Sequence, residues 1–511
     1  MIDVRDFSFS FDGSAGKALD HVSLTIDEGD FVVITGPSGC GKSTLAMAIG
    51  GFIPHVVPGK SEGTVQVDGR STENGSLSDL SVLVGIVQQD PESQLCTLSV
   101  DDEVSFGPEN LCFPVEEVIT RRDDALAMVG ASRLRGRDVH TLSGGEKQRI
   151  AIASMLAVRP RVLILDEPTS NLDPTATADV LAVIDRLRKT TRMTIVVIEH
   201  KLDRVIPMAG RLIIMDRGRI VLDGPPGELL ERHREEIKSL GIRMPNADGQ
   251  DAVSVRDRKR ALSGETVRVD NLRFGYDGRE VLHDISFRAS GGEIIGIVGP
   301  NGSGKTTFLG HLLGVHKPTQ GRVVVLGADT KGCKVSAMAR QVGYVFQNPN
   351  HQIFERTVRS EAAFSSVNFG IEPARRDALV NAALERFGLS VYADRPPLGL
   401  SFGEKRRLNV CSVLPPGPEV LVLDEPFVGQ DYANVVRLMK ALCGLRADGK
   451  TIILVSHDVD MVYRHCDRLV LFSEGNILVD DAPDLARQAI EKLGMDDYLP
   501  SNGRSYDPDS D

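Results

Sequence analysis

Two short stretches carry the residue types needed to handle phosphate. Gly36-Pro37-Ser38-Gly39-Cys40-Gly41-Lys42-Ser43-Thr44 and Gly299-Pro300-Asn301-Gly302-Ser303-Gly304-Lys305-Thr306-Thr307 both fit the pattern G-x-x-x-x-G-K-[ST]. Glycines at those positions let backbone N–H groups wrap a polyphosphate, and the helix expected to follow adds positive potential at its N-terminus. Lys42 and Lys305 would reach the β- and γ-phosphates of a nucleotide, and Ser43 and Thr306 would ligate Mg²⁺. One such pattern arises by chance in roughly a few per cent of chains this long. Two copies at matched places are another matter.

The second group of reactive residues follows apolar runs. Leu163-Ile164-Leu165 leads into Asp166-Glu167, and Leu421-Val422-Leu423 into Asp424-Glu425. Adjacent acids repel each other and are costly to bury unless a cation or a proton-transfer task uses them. Mg²⁺ wants a carboxylate beside substrate phosphates, which suits Asp166 and Asp424. Glu167 and Glu425 are then free to orient and polarise an attacking water. Gln89 and Gln347 end a neighbouring apolar run and could touch both metal and water. His200 and His457 also follow apolar strands. A lone histidine there is more often structural, but its recurrence in both halves favours a hold on the γ-phosphate.

These residues need a parallel sheet to bring them together. Short apolar runs ending in turn signals read as its central strands, with ligands at their carboxyl ends. The expected strands of the first half are 31–35, 82–89, 163–165 and 194–198, with helices after Lys42, across much of 98–138 and over 174–189. Val4, Phe7, Phe9 and Phe11, then Val22, Leu24 and Ile26, alternate as an antiparallel hairpin beside that sheet. Residues 142–173 (LSGGEKQRIAIASMLAVRPRVLILDEPTSNLD) recur as 400–431 (LSFGEKRRLNVCSVLPPGPEVLVLDEPFVGQD), with Ser143 matching Ser401 and Asp166 matching Asp424, both 258 residues on. A domain-sized period means two copies of one domain. The expectation is an α/β chain with two tandem P-loop NTPase domains at 1–233 and 265–490, a charged, Pro/Gly-spotted linker at 234–264, and an acidic, disordered tail at 491–511.

Composition narrows the function classes. Among 511 residues the net charge is −12, which argues against nucleic acid as main partner and against docking on anionic lipid by charge alone. No apolar run approaches the ~20 residues needed to cross a bilayer. The opening MIDVRDFSFS lacks the order of a signal peptide. Seven scattered cysteines with no CxxC suit free thiols in a reducing compartment. Cys40 lies inside a phosphate loop, where alkylation would block nucleotide binding.

Phosphate loop, glutamine turn, LSGGE-like signature, paired acids and histidine, in this order and twice over, resemble the ABC-type ATPases across nearly the whole chain. That resemblance implies ATP hydrolysis with ATP and Mg²⁺. It also implies that the signature of one domain completes the site of the other. Ser401, Gly403 and Glu404 would then face Lys42, and Ser143, Gly144, Gly145 and Glu146 would face Lys305. Phe11 and Tyr276 match the aromatic that stacks on adenine; Asp173 and Asp431 match the loop that follows the paired acids. A narrower likeness, carried by GFIPHVVPG (51–59), QQDPESQLCTLSVDDEVSFGPENL (88–111), QNPNHQIF (347–354), VIEHKLD (197–203) and DEPFVGQD (424–431), is to energy-coupling factor importers of vitamins and transition-metal ions. It implies a peripheral protein on the cytoplasmic face of the cell membrane. Its partners would be an integral membrane transport subunit and a substrate-binding membrane subunit, with Gln94, Asp101, Glu103 and Gln352 at the coupling interface. Two departures stand out: Phe402 replaces the first signature glycine, and Glu146 and Glu404 replace the usual glutamine. Phe402 is expected to weaken rather than abolish the site built on Lys42. A rival is the ribosome-associated tandem ATPases, whose long charged helical linker has no counterpart here.

Overall fold

The computed structural model describes residues 1–13, 16–245 and 263–500. The chain divides into two compact units, each with the same two sheets. In the first unit, β1 (Ile2–Phe11), β2 (Leu19–Ile26), β4 (Gly59–Val67) and β5 (Arg70–Ser71) form an antiparallel sheet in the order β2-β1-β4-β5. The main sheet holds β3 (Phe31–Thr35), β6 (Val84–Val87), β7 (Val162–Asp166), β8 (Thr194–Ile198), β9 (Arg211–Asp216) and β10 (Arg219–Gly224), in the order β10-β9-β3-β8-β7-β6. All its pairings are parallel except β9 with β10.

Successive residues of a strand face opposite sides of the sheet, and here each side has its own core. Val33, Leu163, Leu165, Ile195 and Val197 join the helical layer. Val32, Ile34, Ile164, Val196 and Ile198 pack with Ile2, Val4, Phe7 and Leu24 of the antiparallel sheet. This explains why these strands read as continuous apolar runs. The register then does the positioning. Ile198 of β8 pairs with both Ile34 of β3 and Asp166 of β7, and Leu165 pairs with Val87 of β6. The segments after Thr35, Val87, Asp166 and Ile198 therefore emerge along one edge.

The helices start where local chemistry favours them. Helix Val100–Asn110 is capped by Ser99, which accepts from Asp102 N, and has three acids in its first turn. Helix Pro174–Thr190 begins with Asp173 as cap and Pro174 in the first turn, and ends with Arg188 and Lys189. The second unit repeats the plan. β11 (Ser263–Tyr276), β12 (Arg279–Gly291), β14 (Gln320–Val325) and β15 (Ala328–Asp329) form the antiparallel sheet. β16 (Val342–Val345), β17 (Val420–Asp424), β18 (Thr451–Val455), β13 (Ile294–Val298), β19 (Arg468–Ser473) and β20 (Asn476–Asp481) form the main sheet in that order.

The expected elements are present, with strands β6 and β16 shorter than expected because the chain turns off the sheet two residues before each glutamine. Two stretches read as unstructured are folded where described. Arg234–Ser239 is helical, and Ile237, Ile242 and Met244 enter the first unit's core; three apolar residues spaced among charges were too few to show a period. Similarly, the tail expected from 491 starts inside helix Pro483–Lys492, and Tyr498 is buried. The remainder of the linker (246–262) and of the tail (501–511) lies outside the described residues.

Two buried histidines give the second unit an acid sensitivity. His311 is fully buried, shares a 2.8 Å hydrogen bond between Nδ1 and the Thr307 carbonyl, and meets Phe274 edge-on. Burial pushes its pKa down to about 4, and burial likewise pushes His465 to about 4. Unfolded histidine titrates near 6.5, so between these values the unfolded chain binds more protons and stability rises with pH. Each histidine is expected to remove about 2 kcal/mol of the unit's stability between pH 7 and pH 5. All seven tyrosines lie in the second half and the chain has no tryptophan, so urea unfolding followed by tyrosine emission reads this unit. His311→Met should flatten the pH dependence of its midpoint.

Candidate functional site

In the first unit Lys42 folds back onto its own loop. Its Nζ donates to the carbonyls of Gly36 and Pro37 at 2.9 Å each. Lys305 does the same to Gly299 (2.8 Å) and Pro300 (2.7 Å). Cys40 is buried with its Sγ 3.8 Å from Lys42 Nζ. Burial pushes its thiol above the ordinary value despite the lysine, so alkylation there will be slow.

The paired acids sit where strand register puts them. Glu167 and Glu425 both adopt φ 47°, a left-handed turn, uncommon for non-glycine residues, that sharply redirects the chain after the strand. Glu167 Oε1 lies 3.0 Å from His200 Nε2, and its Oε2 accepts from Gln89 Nε2 at 2.8 Å. Burial raises the Glu167 pKa, but the His200 hydrogen bond and charge outweigh it and hold the carboxyl below its usual range. In the second unit Glu425 Oε1 lies 3.1 Å from His457 Nε2. A cavity of about 220 Å³ is lined there by Lys305, Thr306, Gln347, Asp424, Glu425 and His457 among others. Each unit thus brings its predicted loop lysine, hydroxyl, paired acids, glutamine and histidine to one edge.

Magnesium fits these residues. Asp166 Oδ1 and Asp424 Oδ1 are buried without a hydrogen-bond partner, and Ser43 and Thr306 hydrogen-bond the same two side chains. A buried carboxylate oxygen lacking a donor is costly alone and is satisfied by a divalent cation. Burial pushes Asp166 up to about 6, with Ser43 opposing and the Glu167 charge adding to it; burial also raises Asp424. Among the described residues no group of three or more His, Cys, Asp or Glu side chains is set to hold a metal, so the remaining ligands would be phosphate and water oxygens.

The signature serines open helices Gly144–Ala157 and Phe402–Val413. Ser143 and Glu146 form a reciprocal capping box, as do Ser401 and Glu404. The glutamates that depart from the usual glutamine therefore complete a helix start. Phe11 and Tyr276 end β1 and β11 with 37% and 44% of their surface exposed, leaving faces open to an adenine. Tyr276 Oη is also 3.1 Å from His316 Nε2.

The four residues expected at a coupling interface are all held by bonds within their own unit, and two of them, Glu103 and Gln352, are buried. Glu103 Oε2 accepts from the backbone of Cys96 and Thr97, while Gln352 spans Phe346 N and the Asn409 carbonyl. They brace the loop from inside, as does Gln94 between Gln88 N and the Ile86 carbonyl. Asp101 is tied to Arg122 and Arg135. Among the exposed side chains in and just after these segments are four apolar ones, Leu98, Phe106, Phe354 and Phe364, beside exposed polar ones such as Asp90, Glu92, Asp102 and Asn348. Sequence reading also missed Arg406, which stands where the first half has Gln148. Its fully buried guanidinium donates to the carbonyls of Phe346 (2.6 Å) and Gln347, and Phe402 lies over it at 5.5 Å. The KRR in place of KQR was the available signal.

Fold and site together define a tandem P-loop nucleotide hydrolase. More narrowly, the chain belongs to the ABC transporter family, whose pattern matches residues 19–170 and 282–428, and family membership makes it an ATPase. A Methanosarcina mazei protein named as an ABC transporter ATP-binding protein is 36% identical, over 98% of this chain and 92% of its own length. A Bacillus subtilis protein named as the HMP/thiamine import ATP-binding protein YkoD is 33% identical, over 94% of this chain and 92% of its own. The solved structure of an RNase-L inhibitor superposes with a TM-score of 0.64 at 22% identity, covering 95% of this chain and 92% of that one, a likeness of fold alone.

Proposed function

We propose that this chain is the energy-coupling subunit of an importer of the energy-coupling factor type, for a vitamin or transition-metal ion. Support comes from the segments 51–59, 88–111, 197–203, 347–354 and 424–431, and from a full-length relative named for import. The observation that carries it is two complete hydrolytic sets in one chain, while no helix among the described residues is long and apolar enough to cross a membrane. Such an ATPase must pass its cycle to a separate membrane subunit, and exposed Leu98, Phe106, Phe354 and Phe364 offer it apolar surface beside the glutamine turns.

In this reading Lys42 and Lys305 leave their loop carbonyls for phosphate oxygens, and the loop N–H groups cradle the rest of the chain of phosphates. Magnesium, held by Asp166 and Ser43 or by Asp424 and Thr306, would neutralise charge on the phosphates. Glu167 and Glu425 accept a proton from the attacking water, oriented by His200 and His457. ATP binding closes the two halves on each other, and hydrolysis reopens them.

The test is recovery of the tagged chain from native membranes in gentle detergent. A polytopic membrane protein with a small substrate-binding membrane protein is expected. Ribosomal proteins in their place would favour the translation-factor reading and sink the importer.

A further inference from the structure

The two catalytic carboxylates are held differently, and the difference traces to one buried pair. β8 ends at Ile198, and Glu199 follows with 2% of its surface exposed. Its Oε2 accepts from Thr169 Oγ1 at 2.8 Å, and its Oε1 accepts from the backbone N–H of His200 at 3.1 Å and of Lys201 at 3.4 Å. At the matching places the second unit has Phe427 and Ser456, so donor and acceptor are both replaced. Ser456 Oγ accepts from Asp458 N instead. The His457 N–H then goes to Glu425 Oε2 at 3.1 Å. Glu425 thus has one oxygen 3.1 Å from its histidine ring and accepts from that histidine's backbone with the other. In the first unit Glu199 takes the backbone N–H, and the second oxygen of Glu167 accepts from Gln89 at 2.8 Å.

We propose that Glu199, clamped by Thr169, is a positioning residue that turns Glu167 toward Gln89 and so couples the base of the first site to its glutamine turn. Glu425, whose Oε2 accepts directly from the His457 backbone, does not use such a clamp. A buried carboxylate within the field of Glu167 is unfavourable on its own; burial and the charge of Glu167 both raise the Glu199 pKa. Its absence from the second unit shows that the common fold does not need it, which points to a task peculiar to the first site. The inference rests on Glu167 being the base.

The full chain carrying Glu425→Gln isolates turnover at Glu167. In that background Glu199→Gln, which keeps the size but removes an acceptor, is expected to lower kcat about tenfold with the KM for ATP within about twofold. The swap Thr169→Phe with Glu199→Ser installs a pairing that the same fold already tolerates. Gln89→Ala should lower kcat in the unswapped chain and change it little in the swapped one, since the contact is already gone. Additive effects of Gln89→Ala and the swap, or a change confined to KM, would overturn the proposal. If the chain with both Glu167→Gln and Glu425→Gln still hydrolyses ATP, the assignment of the base fails instead.

Discussion

Replacing Glu167 and Glu425 together by glutamine is expected to lower ATP turnover about 10²–10⁴-fold, the usual contribution of a positioned general base. ATP binding should stay within about twofold. Glutamine keeps the size and can still accept a hydrogen bond from His200 Nε2 or His457 Nε2, now 3.0 and 3.1 Å from the carboxylates. It cannot take the proton that an attacking water must lose. The paired aspartates, lysines and loop N–H groups that would hold the nucleotide are untouched, so the loss falls on kcat and not on KM. Steady-state phosphate release with equilibrium ATP binding checks both halves of this statement. The single variants add a finer reading. Two independent sites would leave about half the rate in each; a much larger loss in either means that turnover at one site waits on the other. Retained turnover in the double variant would sink the role given to these glutamates.

What could be read beforehand follows from where the physics is local. The phosphate loops, the strand-end acids and the two sheets were legible because each rests on a short pattern with one structural solution. A glycine-rich loop between strand and helix, or four apolar residues before a carboxylate, leaves little choice, and the internal repeat tested every such reading twice. Phe11 and Tyr276 rested on family likeness alone. The braces were not legible. Glu103 and Gln352 are polar residues in polar stretches, which suggested a surface; only folding shows that they satisfy loop backbone from inside. Arg406 was hidden for a similar reason, since a buried arginine bonded to carbonyls has no carboxylate partner in the sequence to betray it. Thr169 and Glu199 needed the structure because they lie on separate turns and meet only through the register of β7 and β8.

The second large effect is expected at the first glycine of each phosphate loop. Gly36 has φ 154° and Gly299 φ 146°, a backbone region closed to L side chains. A Cβ on Gly36 would stand 2.2 Å from the Met215 carbonyl oxygen of β9, and one on Gly299 2.1 Å from that of Phe472 in β19. Both obstacles are main chain in the sheet, so no rotamer change relieves them, and the loop itself must move. Overpacking of this kind costs about 1–3 kcal/mol or more. The displacement also drags the carbonyls of Gly36 and Gly299, which anchor Lys42 and Lys305, away from the place where phosphate must be met. Gly36→Ala with Gly299→Ala should therefore weaken ATP binding by about 10²-fold or more, since about 2.7 kcal/mol is lost at each loop. ATP should no longer raise the melting temperature. Gly39→Ala and Gly302→Ala separate the two causes. Both positions have φ 77°, but nothing lies within 4 Å of the added carbon. They bear only the backbone cost of about 1–2 kcal/mol and should keep measurable ATP binding. If the Gly36 and Gly39 variants lose binding equally, the clash with the sheet is not what fixes the loop.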